Sequence, residues 1–224
     1  MQSKPVLAVI GGTGKEGKGL AYRWLKAGYP VIIGSRSLER AQQAAQELKA
    51  RVGDAADVRG LTNPEAAAQA EIVVVSVPYA GHKAILESIR DAVQGKLVVD
   101  VTVPLQPPKV TRAYFPPAGS AALEAQEILG PEVAVVDAFQ NIPHTAFWQD
   151  PPPTMDVLVA GKGKANRERV LQLVADAGFR GVDAGPLANT PVVEGLTSVL
   201  LYINKRYGTH AGIRIVGLEA DEHA

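Results

Sequence analysis

The chain contains no cysteine, which removes disulfides, thiolate metal sites and a cysteine nucleophile together. Aromatic residues are scarce, 5% of 224 positions, so Ala, Val, Leu and Ile must build the core, as expected where helices cover a buried sheet. Charge of either sign is balanced, with 23 Lys and Arg against 23 Asp and Glu. No global field therefore gathers nucleic acid or an anionic membrane surface. No apolar run approaches the roughly 20 residues that a spanning helix needs. The opening Met1-Gln2-Ser3-Lys4-Pro5 lacks the apolar centre of a secretion signal. The four histidines have no spacing with carboxylates that suits a metal. The expectation is a soluble, cytoplasmic protein that handles small molecules.

What is present begins at Val6-Leu7-Ala8-Val9-Ile10, an unbroken apolar run of the kind buried on both faces in a parallel sheet. It runs into Gly11-Gly12-Thr13-Gly14-Lys15-Glu16-Gly17, and a helical pattern (Leu20, Ala21, Trp24, Leu25) follows. Strand, Gly-x-Gly-x-x-Gly turn and helix in that order form a site for a dinucleotide diphosphate. Gly12 is expected to permit the tight turn, Gly14 to let backbone approach the diphosphate, and Gly17 to let helix and strand pack closely. The next strand, Val31-Ile32-Ile33, ends in Gly34-Ser35-Arg36, with Arg40 one helical turn on. An NAD site usually has an acid here to hold the ribose 2′-hydroxyl. A hydroxyl and guanidinium groups suit a 2′-phosphate instead, so the corner selects NADP(H).

Further apolar strands are expected at Val58–Leu61, Glu71–Pro78, Leu97–Val101 and Val133–Val136, with helices between them. Asn63 reads as the cap of a helix that starts at Pro64. Pro78 closes its strand at the carboxyl edge, where the nicotinamide half of a dinucleotide lies, and His82 and His144 fall near the same edge. Pro104, Pro107, Pro108, Pro116 and Pro117 stiffen the loop from Thr102 to Pro117. Phe139, Phe147 and Trp148 crowd one later loop. They read equally as a wall for a flat ring and as packing for the rest of the chain. Tyr79-x-x-x-Lys83 matches the proton-relay pair of short-chain dehydrogenases, but it follows the fourth strand rather than the fifth and is read as coincidental. The expected fold is α/β, a doubly wound Rossmann-type parallel sheet over residues 1–140 with a small C-terminal α/β domain over 141–224. That domain has strands at Asp156–Gly161 and Phe179–Asp183 and a long helix from Pro191 to Tyr207, apolar at Val193, Leu196, Leu200, Ile203 and Tyr207. Ala211–Leu218 could add an edge strand, Glu219–Ala224 reads as frayed, and the long helix suggests a homodimer.

Together these segments resemble the NADPH-dependent reductases of coenzyme F420, a 5-deazaflavin carrier. The likeness rests on Ile10-Gly-Gly-Thr-Gly-x-x-Gly-x-Gly19, Gly34-Ser-Arg36, Val77-Pro78, Gly119-Ser-Ala-Ala122, Ala138-Phe-x-x-Ile142, Asp183-Ala-Gly-Pro-Leu-Ala-Asn189 and Val193-Glu-Gly-Leu-Thr197. The resemblance implies that Thr13, Gly14, Lys15, Glu16, Ser35, Arg36 and Arg40 hold the adenosine phosphates. It implies that Val77 and the loop Ile142–His144, with Asn141 beside it, line the nicotinamide. Gln140-Asn141 stand where one family member carries His-Thr, and His144 where it carries Ala. The implied reaction is hydride transfer between NADP(H) and F420. The carriers do the chemistry, and no side chain need act as acid or base. Lys109 and Arg112 are candidate anchors for the deazaflavin's anionic tail. Two other readings stay open: an imine or carbonyl reductase of the pyrroline-carboxylate type, and a non-enzymatic NADP-binding regulator.

Overall fold

A computed structural model describes residues 4–218; the segment Glu219–Ala224 and His223 lie outside the described residues. Six parallel strands and two further ones form one eight-stranded sheet. In chain order these are β1 (Leu7–Ile10), β2 (Val31–Ser35), β3 (Val58–Thr62), β4 (Ile72–Val75), β5 (Leu97–Asp100), β6 (Ala134–Asp137), β7 (Asp156–Gly161) and β8 (Arg180–Gly185). Their spatial order is β3-β2-β1-β4-β5-β6-β7-β8. The first six are parallel, reversing direction of travel at β1 as a doubly wound sheet does. β7 then pairs antiparallel to β6, and β8 parallel to β7. The C-terminal strands thus lengthen the one sheet and do not build another.

Helices cover both faces: α1 (Lys15–Lys26), α2 (Leu38–Val52), α3 (Asn63–Gln69), α4 (Tyr79–Ile89), α5 (Ala121–Leu129), α6 (Lys164–Asp176) and α7 (Thr190–Tyr207). The strand periodicity of two sorts each strand between two cores. Leu7 and Val9 face the layer of α1, α2 and α6 with Trp24, Leu48 and Val174. Ala8 and Ile10 face α3, α4 and α5 with Ala66, Leu86 and Ala125. Register aligns Ile10 with Gly34, and Val75 with Asp100 and Asp100 with Asp137. The carboxyl ends of β1, β2, β4, β5 and β6 therefore form one level edge.

Several local expectations change. The cap of α3 is Thr62, whose backbone N–H donates to the Glu65 carboxylate at 3.1 Å; Asn63 is already helical. Thr-x-x-Glu is a capping box, and it outcompetes Asn one place later. Tyr207, expected on the apolar face of α7, is exposed at its end, and the side lining the interior is Val193, Thr197, Leu200, Leu201 and Asn204. Ala211–Leu218 makes no strand; one antiparallel bridge joins Ile213 to Asp156. Ser120 caps α5 as expected, its hydroxyl accepting from Leu123 N at 3.0 Å.

Candidate functional site

The glycine turn divides its work differently from the sequence expectation. Gly11, not Gly12, is the left-handed residue, at φ 76°, and a Cβ there would sit 2.4 Å from Ser76 O. Gly12 is held by packing, because a Cβ would stand 2.7 Å from Val9 O. At Gly17 a Cβ would meet Gly12 Cα at 2.9 Å, which is the close helix–strand contact. Gly14 has no such internal reason. Its φ of −74° suits any residue, and an added Cβ would meet only Gly11 O at 3.4 Å. It is exposed at the head of α1, where unpaired N–H groups and the helix dipole favour an anion. The chain thus keeps open the space that a diphosphate needs.

The neighbouring corner is locked to this turn. Gly11 N and Gly12 N both donate to Gly34 O at 3.1 Å, so the tip of β2 lies against the turn. Ser35 is buried, and its hydroxyl accepts from Ser37 N at 3.2 Å. Arg36 and Arg40 are exposed beside it, and Thr13 is half-buried. Gly34, Ser35 and Arg36, which form the tip of β2, bring no carboxylate to it.

Along the level edge runs a cleft of about 770 Å³. Its base is Gly14, Lys15 and Glu16 with Ser76, Val77 and Pro78; one wall is Val101–Val103, Leu105, Pro107 and Val110 of the proline-rich loop. The other wall is Gln140–His144, and the roof is Thr197, Leu200, Leu201 and Asn204 of α7, with Thr209–Ala211 beyond. Of the expected residues, Gly14, Lys15, Glu16, Val77, Pro78, Asn141, Ile142 and His144 meet in this cleft, while Gly12, Thr13, Ser35, Arg36 and Arg40 lie outside it along the turn and the β2 tip. The roof residues were missed, although Thr197, Leu200, Leu201 and Asn204 repeat at helical spacing.

His82 does not join them. It is 1% exposed, with Nε2 2.8 Å from the Asp100 carboxylate, and does not line the cleft. Of the two readings of the aromatic loop, packing is the one seen. Phe139 and Phe147 are buried with Trp24 and Phe179 in edge-to-face pairs, and Trp148 stacks on Tyr22 at 5.0 Å. Rings this apolar gain more in the core than beside a polar ligand. Lys109 and Arg112 point no charge into the cleft, being exposed and outside its lining. The Tyr79 hydroxyl donates to Glu124 at 2.8 Å and Lys83 lies near Glu87, so these two form no relay.

Beneath the cleft three distant segments converge. Glu194 of α7 accepts from Ala121 N at 2.7 Å and Ala122 N at 3.0 Å, the free donors at the head of α5. The Ser120 and Thr190 hydroxyls are 2.6 Å apart. Asn141 Nδ2 donates to Val193 O and Thr197 Oγ1, each at 3.1 Å, and the Thr197 hydroxyl donates to Gln140 O at 2.9 Å. One wall of the cleft is thereby stapled to its roof. Gln140 Nε2 reaches Asp100 O at 2.7 Å and the Asp137 carboxyl. Burial, then the charges of Glu194 and Asp100, push the Asp137 carboxyl well above its usual range. Burial first, with Asp100 adding to it, also pushes Glu194 up to about 8.

The comparisons with known proteins agree with this geometry. A family model for coenzyme F420-dependent NADP oxidoreductases matches residues 6–104. A protein of Methanocaldococcus jannaschii named F420-dependent NADP reductase is 37% identical over 222 residues, 95% of this chain and 99% of that one. The chain belongs to the F420-dependent NADP reductase family. A solved structure from Arthrobacter sp. FB24, provisionally described as an F420-dependent NADP-reductase, is 25% identical with a TM-score of 0.76, over 92% of this chain and 96% of that one. A pyrroline-5-carboxylate reductase from Coxiella burnetii shares the fold, at 15% identity and a TM-score of 0.57, over 93% of this chain and 73% of that one. The segments Gly119–Ala122, Ala138–Ile142 and Val193–Thr197 that carry the family resemblance are the ones that meet through Glu194, Asn141 and Thr197.

Proposed function

We propose that this reductase transfers hydride between NADP(H) and the 5-deazaflavin F420 across the cleft. NADPH gives hydride from nicotinamide C4 to deazaflavin C5, and one proton is taken up: NADPH + H⁺ + F420 gives NADP⁺ + F420H₂. The residues bind, orient and exclude water. The α1 head with Gly14 and Lys15 holds the diphosphate, and Ser35, Arg36 and Arg40 hold the 2′-phosphate. Val77, Pro78, Ile142 and the apolar side chains of the proline-rich loop and α7 keep two rings in contact and away from water. The single observation that carries this reading is the cleft itself, open next to Gly14 and closed by α7. No cluster that could hold a metal exists among the described residues, and none is required by the reaction.

In this reading residues 1–140 carry NADP(H), and residues 141–224 supply the roof and a homodimer contact. Val192, Val199 and Tyr202, more than half exposed, lie on one outer side of α7 and support that contact. No described helix is long and apolar enough to cross a membrane, and a reaction drawing on cellular NADPH belongs in the cytoplasm. The test is spectroscopic: with NADPH, the protein should bleach the deazaflavin band and leave free flavin oxidised. Turnover of a cyclic imine with no bleaching would overturn the reading.

A further inference from the structure

Past Tyr207 the chain doubles back over the cleft. Gly208, left-handed at φ 64°, ends α7, and Gly208 N and Thr209 N donate to Asn204 O at 2.9 and 3.3 Å. Ala211 N donates to Asn204 Oδ1 at 2.7 Å. Farther on, Asp156 N donates to Ile213 O at 2.7 Å, Ile215 N to the Asp156 carboxylate at 2.5 Å, and Arg180 Nη2 to Ile215 O at 2.8 Å. Segment 208–215 is a strap pinned at both ends, and its middle, Thr209–Ala211, lines the cleft.

His210 rides on that strap. Lys15 from the head of α1 and His144 from the loop after β6 line the same cleft. Lys15 and His210 both act on His144: burial first, then their charges, hold it below the usual histidine range. The other titratable side chains of the lining are Glu16 and Tyr79. Burial pushes Glu16 up to about 8, and the Tyr79 hydroxyl is occupied by Glu124. An apolar cleft with basic groups converging at one rim suits a flat ring that ends in an anion.

We infer that His144 and His210 form the anchor for the phosphate-bearing side chain of the deazaflavin, and that His210 distinguishes phosphorylated from unphosphorylated deazaflavins. This rests on the hydride-transfer reading above. The dinucleotide also carries phosphates, but the glycine turn and the β2 tip answer for those, and His210 comes from the separate strap that follows α7. An anion favours the charged imidazole, so its arrival draws a proton onto His144. Affinity for the phosphorylated carrier is therefore greatest at mildly acid pH and falls as pH rises through the histidine range.

The experiment measures KM at pH 6 and pH 8 for F420, for the same chromophore without its phosphate side chain, and for NADPH. Wild type is compared with His210→Gln and His210→Glu. At pH 6 the Gln variant should raise the KM for F420 about 5-fold and the Glu variant about 20-fold or more. The KM for the tail-less chromophore and for NADPH should move less than about 2-fold. An equal shift for both deazaflavins would overturn the inference by making His210 a packing residue. A shift confined to NADPH would overturn it by giving the rim to the dinucleotide. Wild type that turns over neither deazaflavin would instead remove the hydride-transfer reading.

Discussion

Asp100 and Asp137 are register partners at the carboxyl ends of adjacent parallel strands, and both are fully buried. The nearby basic side chain is His82, whose pKa the net of its surroundings raises: burial lowers it, but Asp100 outweighs burial. Asp137, Glu194 and His82 all hold protons more tightly folded than unfolded. The sign is then common to the three. Each contributes most below its unfolded pKa, and its contribution is lost as pH rises through the raised folded value. Unfolding free energy should fall as pH rises from about 5 to 8, by up to about 1.4 kcal/mol per titrating group per pH unit, and the melting temperature with it. Asp137→Asn, which cannot ionise, should flatten that slope and melt higher than wild type at pH 8. A variant with the wild-type slope would mean that Asp137 does not titrate in this window.

Glu194→Ala removes the acceptor for two N–H groups at the buried head of α5. Unsatisfied buried donors cost about 1–3 kcal/mol each, so chemical denaturation should show a loss of roughly 2–4 kcal/mol. Glu194→Gln keeps one acceptor oxygen and should lose less than half as much. Equal losses would place the effect in packing, not in the clamp.

The corner can be tested without touching the core, because Arg36 is exposed. Arg36→Asp should weaken NADPH by about 2–4 kcal/mol in kcat/KM, through a lost charge-assisted contact and added repulsion. NADH should be little affected, and melting should not change. Equal effects on both nucleotides would show that the 2′-phosphate lies elsewhere.

How much was legible follows from what kind of interaction decides each feature. Parallel strands buried on both faces must be continuous apolar runs, so Leu7–Ile10, Ile72–Val75 and Leu97–Asp100 could be read directly. Ser120 announced α5 in the same way, by local chemistry. The pairing of β7 against β6 was not legible, since only contacts between distant segments choose a strand's direction. Nor could composition say whether Phe147 turns toward a ligand or into the core; it turns inward, with Gly19 leaving room for it. Within the site, the turn and the β2 tip are local and were visible. The roof residues, the strap with His210, and the cluster of Asp100, Asp137 and Glu194 exist only once the chain has folded back on itself.

Phe147 gives that lesson a number. It is fully buried and packs edge-to-face on Phe139 and Phe179. Phe147→Ala should cost about 3–5 kcal/mol of stability. At a temperature where the variant stays folded, its KM for either coenzyme should match wild type. A stable variant with weakened deazaflavin binding would restore Phe147 as part of the ring wall.

Gly11 and Gly14 separate a glycine the fold needs from one the ligand needs. Gly11→Ala meets both a left-handed φ of 76° and a contact of 2.4 Å with Ser76 O, so it should lose several kcal/mol of stability, about 2–4. Gly14→Ala meets neither, and as the residue before α1 it should lose at most about 1 kcal/mol. Its methyl group, however, stands where the diphosphate must approach the backbone. NADPH affinity should therefore drop about 10-fold or more while the melting temperature holds, a pairing that calorimetry and thermal denaturation can read on one sample. A Gly14→Ala protein that binds NADPH as wild type does would put the diphosphate away from the head of α1 and leave the openness at Gly14 without a purpose.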